Sequence, residues 1–424
     1  MSNQSELGYC LARGFDYSKK SGACFGGVDS FLFDKMKGNL HRAGAGVVGK
    51  RIFSILQKVL ADLCVAYMQN SELWLRIGRS CHHYKKGTYE HKMGFQHHHV
   101  CAVIDELLRL DIIEMKPGIY FPEDKIAYRT VIRLTRYGVD VLMDCFDVFS
   151  VNRHNEYLCI RNYYKQNVDI KKFPNSGTAK RKIKSYNDFL GSHSICLQED
   201  SKCFFDSRDL LPDYTRKGLF RVYNNSSLQY GGRWFGHWLQ DINKDVRLYA
   251  VIDGEPVAEV DFVGLHTNML YAENCGYVVH DPYVLNTVKQ HKRDVVKAVM
   301  VVIFNAKTRQ TVAGAAAKLL NKKGVLYEYD ELFEVIDAVV DTHKDIGDYF
   351  FTKCGLRLQN KDSNMMRDIL YACQQQGVPV VPVHDSLVAP KSHSSFVRRV
   401  MADMSERHFG ISLPTKKNFL TKCK

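Results

Sequence analysis

The chain has 424 residues, of which 45% are apolar and 25% charged. That mix excludes a disordered or fibrous protein, and the length leaves room for two or three domains with separate cores. Lys and Arg outnumber Asp and Glu by 59 to 46, a net charge of +13, which favours a polyanionic partner because each neutralised phosphate releases counterions.

Residues 1–50 are Gly-rich, end in Ala43-Gly44-Ala45-Gly46 and show no sustained apolar period, so an N-terminal arm that is irregular or packed onto a neighbour is expected. The opening residues, Met1 to Glu6, lack the charged-then-apolar order of a secretion signal. No apolar run approaches the ~20 residues that span a bilayer; the longest, Val295 to Ala306, holds Lys297 and Asn305. A cytoplasmic protein without a membrane partner is expected, its 13 scattered cysteines reduced rather than paired.

From Arg51 the pattern changes: Ile52, Leu56, Val59, Leu60, Leu63 and Tyr67 recur at helical spacing. A second helix is expected from about Gln96 to Leu110, with Val100, Val103, Ile104, Leu107 and Leu108 on one face. Ile112-Ile113, a turn at Lys116-Pro117-Gly118 and an alternating stretch to Thr135 follow. Helix, then strand, turn and strand is the pattern of a winged helix. Residues 51–150 are therefore expected to form an α-rich, winged-helix-like domain that binds nucleic acid; a protein-interaction module with a hairpin fits the same pattern. Cys81, His82, His83, His91 and His97 to His99 could offer zinc ligands, but their spacing fits no paired Cys/His template.

Residues 151–215 are polar and interrupted, with Arg161, Tyr163, Tyr164 and Lys165 followed by Lys171, Lys172, Lys180, Arg181, Lys182 and Lys184. A basic linker or thumb-like region is expected. Cations interleaved with aromatics can track phosphates and stack on bases, and a solvated linker has the same composition.

From 216 to 424 the pattern is α+β. Strands at 248–251 and 256–262 flank Asp253-Gly254, a strong hairpin signal. Helices are expected at about 281–306, 326–353 and 362–376, and then a short buried strand, Gly377 to Val383, ends in His384-Asp385. The string Gly314-Ala-Ala-Ala-Lys318 lacks a phosphate loop's glycine pattern and reads as helix.

Two carboxylates thus stand at the ends of apolar strands, Asp261 and Asp385. On neighbouring strands they would meet at one spot, where two divalent cations ~3.5–4 Å apart could bridge them. Phosphoryl transfer needs that arrangement, because the attacking and leaving oxygens both carry charge that metals stabilise. Between them, Arg293 and Lys297 form an i,i+4 pair, a helix face that can hold the phosphates of a triphosphate or simply be a solvated basic stripe.

These residues carry a resemblance. Asp261-Phe-Val-Gly-Leu-His266 resembles motif A of family A DNA polymerases and of single-subunit phage and mitochondrial RNA polymerases. Arg293-x3-Lys297 resembles their motif B, and Val383-His384-Asp385-Ser386 their motif C, in a form closest to the RNA polymerases. Asp362-Ser363-Asn-Met-Met-Arg367 precedes motif C, and Gly231-Gly232-Arg233-Trp234-Phe235-Gly236 is similar to the RNA polymerases' Arg-Gly-Arg-x-Tyr. The resemblance spans about 216–400. It implies a right-hand polymerase palm bearing both aspartates, a fingers helix bearing Arg293 and Lys297, and two Mg²⁺ ions, with Mn²⁺ as a substitute.

Three departures stand out. Asn305 occupies the place of the motif B aromatic, with Phe304 one position earlier, and His266 occupies the place of the DNA polymerases' Glu. Only 87 residues separate Lys297 from Asp385, so the fingers must be reduced. His384 beside Asp385 could act as general acid for pyrophosphate release or could orient the turn. The expected protein is a template-directed nucleotidyltransferase, a compact single-subunit RNA polymerase or primase of a phage or mobile element. It would take a nucleic acid template, DNA first, and nucleoside triphosphates contacted by Arg233, His266, Arg293, Lys297, Phe304 and Asn305. The alternatives are a mobile-element DNA polymerase and a DNA-binding initiator or regulator with an inactive palm.

Overall fold

The computed structural model describes residues 12–14, 28–42, 50–85, 95–121, 126–146, 157–174, 176–198, 201, 211–287 and 290–420. The chain divides into two units, Met1–Asn155 with Lys202–Thr215, and Glu156–Ser201 with Arg216–Lys424.

Among the described residues of the first unit, four helices accompany a small sheet: α1 (Val28–Arg42), α2 (Lys50–Gln69), α3 (His97–Arg109) and α4 (Arg136–Phe146). The stripe expected on α2 is buried, with Ile52, Leu56, Val59, Leu60 and Leu63 packed against Val100, Val103, Ile104 and Leu107 of α3. At ~1.5–3 kcal/mol for each fully buried aliphatic side chain, this seam is the main source of the unit's cohesion. The sheet runs β1 (Ala12–Gly14), β2 (Trp74–Arg76), β6 (Val131–Leu134), β3 (Ile113–Lys116), with β6 antiparallel to both β2 and β3. A separate ladder pairs β4 (Ile119–Phe121) with β5 (Ile126–Tyr128). The two ladders break at Pro117-Gly118, where Pro117 lacks an N–H. The Gly118 N–H turns to Thr130 Oγ1 at 3.1 Å, and any Cβ on Gly118 would meet the Tyr128 carbonyl at 2.6 Å.

Two expectations are corrected here. The arm expected to be irregular contains α1, whose Leu32 and Met36 are buried and whose Asp29 accepts a hydrogen bond from Gln57 Nε2 of α2 at 2.7 Å. Val28, Leu32, Met36 and Leu40 do recur at i,i+4, but the stripe is short and set among Gly-rich flanks. The longest apolar stretch is also not 295–306. Residues Arg51–Gln69 have a mean hydropathy of 1.3 and the length to cross a bilayer, yet 72% of that window is buried inside the protein, as in a core helix.

The second unit holds two sheets. The smaller is ordered β10 (Gly231–Phe235), β9 (Phe220–Tyr223), β7 (Leu158–Ile160). The larger runs β13 (Val381–Val383), β14 (Ser386–Pro390), β12 (Glu255–Phe262), β11 (Ala250–Ile252), β8 (Ile195–Leu197), with β15 (Thr415–Phe419) also paired to β12. The Asp253-Gly254 hairpin is present, both residues at positive φ, 51° and 80°, as a tight turn that matches strand twist requires. Its longer helices are α5 (Ser176–Gly191), α6 (Leu265–Cys275), α7 (Arg293–Ile303), α8 (Arg309–Lys323), α9 (Tyr329–Thr342), α10 (Gly355–Gln375) and α11 (Ser394–Phe409), and a single helical turn spans Lys244–Arg247. The Gly314 to Lys318 string lies within α8, as expected.

The segment expected as a basic linker or thumb-like region divides between the units, Glu156–Ser201 going to the second and Lys202–Thr215 to the first. Residues 157–198 supply β7, α5 and β8 to the second unit, with Leu158, Ile160, Ile183, Tyr186 and Leu190 buried and the Tyr186 hydroxyl donating to the Val380 carbonyl at 2.7 Å. The surrounding lysines hide a short helical stripe. The helix expected at 281–306 is confined to α7. Asp281 precedes Pro282, which disfavours helical backbone, and the Asp281 carboxylate accepts from the Tyr283 N–H at 3.0 Å in a turn. The helix expected at 326–353 ends at Thr342, where buried His343 meets the Tyr271 hydroxyl at 3.0 Å and the Pro282 carbonyl at 2.9 Å.

Candidate active site

The larger sheet brings the two aspartates together. Strand β12 is hydrogen-bonded to β14 on one edge and to β15 on the other, so Asp261 lies opposite Ser386 and opposite Lys416. Asp385 sits in the turn between β13 and β14. His384 takes positive φ, 59°, and the Phe262 N–H reaches the Asp385 carbonyl at 3.3 Å. Burial, then the charge of Asp385, pushes the Asp261 carboxyl up from 3.8 to about 6, while Lys416 Nζ at 3.2 Å works against the rise. Two hard oxygen donors in a half-buried site, short of compensating charge, fit a divalent cation. Among the described residues no group of three or more His, Cys, Asp or Glu could hold a metal ion. The zinc candidates Cys81, His82, His83 and His97 to His99 therefore do not assemble a site, and His91 lies outside the described residues.

Arg293 and Lys297 stand on the first turns of α7. The Arg293 guanidinium grips Asp281 through contacts of 2.7 and 3.2 Å and lies 5.0 Å from the Tyr283 ring centroid; Lys297 Nζ lies 5.3 Å from the same ring. Burial lowers the Lys297 pKa, and the charges of Lys416, Arg293 and Lys323 lower it further. Tyr283 is pushed up to about 12 by burial and by Asp385 and Asp261. A cationic group and a carboxylate pair thus face one another across a tyrosine.

Beside them is a cavity of about 270 Å³ lined by Arg233, His266, Phe304, Asn305, His384 and Asp385, with Tyr283 on its wall. One buried carboxylate organises its rim: Asp362 Oδ2 receives His266 Nε2 at 2.7 Å and an Arg233 guanidinium N–H at 3.1 Å. An ionised carboxylate only accepts, so His266 donates from Nε2 and, when neutral, keeps Nδ1 as an acceptor. Phe304 is buried against Phe350, ring centroids 5.6 Å apart. Asn305 is exposed and donates to the Val301 carbonyl at 3.2 Å. Its side chain lies on Gly355, where a Cβ would come within 2.0 Å of Asn305 Oδ1. His384 lies 6.3 Å from the Phe235 ring and titrates below the usual histidine value, through desolvation and the Arg233 charge.

Sequence reasoning missed Tyr283, Lys416 and the role of Asp362. Tyr283 was hidden in a stretch expected as helix, and Lys416 meets Asp261 only through strand register. Asp362 did carry a signal, standing at the head of the segment before motif C. Also unforeseen was Glu259, buried two residues before Asp261, which accepts from Ser386 Oγ at 2.5 Å with Arg247 3.6 Å away.

No family model matches this chain, and no curated protein matches it. Among solved structures, it is similar to the POL domain of Pol1 from M. smegmatis in complex with DNA primer-template and dNTP, at 10% identity and a TM-score of 0.30. The match covers 94% of this chain and 66% of that one.

Proposed function

We propose that the second unit is a template-directed nucleotidyltransferase of the compact polymerase or primase type, acting on nucleoside triphosphates with DNA as template. The observation that carries the reading is the meeting of Asp261, near the end of β12, with Asp385, in the turn that leads into the neighbouring strand β14, across from the Arg293 and Lys297 face. In this reading the larger sheet is the palm, α7 to α9 are reduced fingers, and the first unit is a winged-helix-like module that holds template. The protein works in the cytoplasm.

Asp261 and Asp385 would hold Mg²⁺, with Mn²⁺ as a substitute, and the bound ions would offset charge on the attacking and leaving oxygens. Arg293 and Lys297 attract and align the triphosphate, a positioning role that converts binding energy into orientation. Asp362 locks His266 and Arg233 at the cavity rim, so the sugar meets a fixed imidazole rather than a swinging one. His384, at positive φ in the same turn, orients Asp385 or moves a proton to the departing pyrophosphate.

The test is incorporation of labelled nucleotides on single-stranded and primed templates by the full chain. Asp261→Ala and Asp385→Ala should each lower the rate by ~10²–10⁴ or more while leaving far-UV circular dichroism and nucleic-acid binding unchanged. Near wild-type incorporation by either variant would remove the assignment.

A further inference from the structure

The second unit holds out two tyrosines that the site above does not use. Tyr163 and Tyr164 are each 78% exposed, a fraction that among the described large apolar side chains only Leu326 exceeds. They form the tip of a turn that leaves β7, and the turn is braced. The Asn162 N–H donates to the Gln166 carbonyl at 2.8 Å, the Lys165 N–H to the Asn162 carbonyl at 3.0 Å, and the Asn162 and Gln166 side chains meet at 3.0 Å. Lys165 takes φ 64°, left-handed backbone that glycine or asparagine adopts without the steric cost a lysine incurs. A cation is thus kept where the backbone favours another residue, and strain of this kind marks functional turns.

The turn is tied to the loop 224–230, which leads to the cavity. Arg161 exchanges backbone hydrogen bonds with Tyr223 at 3.0 Å and Ser226 at 2.9 Å, and Lys165 Nζ reaches Asn224 Oδ1 at 3.4 Å. In that loop the Tyr230 ring carries the Arg357 guanidinium 5.8 Å from its centroid, and Asn360 anchors the loop by donating to the Leu228 carbonyl at 2.8 Å. Arg357 lies five residues before Asp362 on α10, about 7.5 Å of helix. Aromatic rings and cations therefore lead from the exposed tip toward the residue that organises the cavity rim.

We propose that the Tyr163-Tyr164 turn, with Arg161 and Lys165 at its base, is a stacking platform for single-stranded nucleic acid on its way to the candidate active site. The two ring planes are nearly perpendicular, 87°, with centroids 5.6 Å apart. They present faces in two directions, which suits a strand whose bases are already unstacked from one another and does not suit a duplex. Bases supply the π-faces and the backbone supplies the anions that Lys165 and Arg161 attract. The destination of the strand rests on the nucleotidyl-transfer reading; the binding itself does not.

The experiment measures fluorescence anisotropy of labelled 20-nucleotide single-stranded DNA, and of a 20-base-pair duplex, with the full chain in metal-free buffer over a salt series. Tyr163→Ala/Tyr164→Ala should weaken single-strand binding about tenfold or more with little change for duplex and an unchanged salt slope. Tyr163→Phe/Tyr164→Phe should bind as wild type, because stacking needs the ring and not the hydroxyl. Lys165→Ala should lower the salt slope by about 0.7, the value for one single-strand phosphate. Wild-type affinity of the double alanine variant, equal loss on duplex, or loss by the phenylalanine variant would each overturn the platform. Asp261→Ala should bind single strands as wild type, so a protein that incorporates no nucleotide but shows tyrosine-dependent binding would overturn nucleotidyl transfer and keep the platform.

Discussion

Replacing Asp261 by Asn should stabilise the metal-free protein while abolishing incorporation. In the folded chain the Asp261 carboxyl is raised from 3.8 to about 6, first by burial and then by Asp385. The fold therefore holds the Asp261 proton more tightly than the unfolded chain does. Wild-type stability then falls as pH rises from about 4 through about 6, and above that the full cost of the ionised carboxylate is felt. A rise of ~2 units at 1.36 kcal/mol per unit corresponds to ~3 kcal/mol. Asparagine imitates the protonated acid and avoids that cost. At ~2–4 °C per kcal/mol for a unit of this size, Asp261→Asn should melt ~6–12 °C above wild type at pH 7.5, and the two proteins should converge near pH 4. Added Mg²⁺ should raise the wild-type melting temperature and leave the variant's unchanged. Differential scanning calorimetry across pH 4–8 decides the matter: equal or lower melting of the variant at pH 7.5, or a gain that persists at pH 4, would refute the charge-crowding account.

Further outcomes follow from other residues. In the proposed site, His266 held by Asp362 and Asn305 exposed at the cavity offer groups that can hydrogen-bond a 2′-hydroxyl. Ribonucleotides should be used at least as well as deoxyribonucleotides, and a kcat/KM preference above ~10²-fold for deoxyribonucleotides would count against this. Phe304 lines the cavity but is held against Phe350, so Phe304→Leu should leave that ratio within about threefold. Arg221 is buried, donates to the Gly232 carbonyl at 2.7 Å and to Ser363 Oγ and Asn364 Oδ1 at 2.9 Å, and lies over the Tyr223 and Trp234 rings. Lysine cannot reproduce that fork, so Arg221→Lys should cost ~2–4 kcal/mol by chemical denaturation; a loss under 1 kcal/mol would show the contacts to be dispensable. Lys416→Met removes the cation 3.2 Å from Asp261 and should raise the Asp261 pKa further. At pH 8, where the carboxylate is ionised in both proteins, calorimetric titration should find tighter Mg²⁺ binding by the variant; weaker binding would make Lys416 a supporter of the site rather than a competitor.

What the sequence determined by itself was local. The 3.6-residue stripe of α2 and α3, the Asp253-Gly254 turn and the apolar runs ending in Asp261 and His384-Asp385 are short-range patterns, and each appears where its own residues dictate. An element whose apolar positions are few among charges, such as α5 with Ile183, Tyr186 and Leu190, was illegible because burial there comes from distant partners, and the short stripe of α1 was hidden by its Gly-rich flanks. The tertiary structure alone decided the register that sets Asp261 opposite Ser386 and Lys416. It alone turned Tyr283 between the carboxylates and α7, and fastened His266 and Arg233 to one carboxylate across 96 and 129 residues of chain. Pairing of strands and capture of a side chain by a remote acid depend on which surfaces meet after collapse, and no local periodicity encodes that.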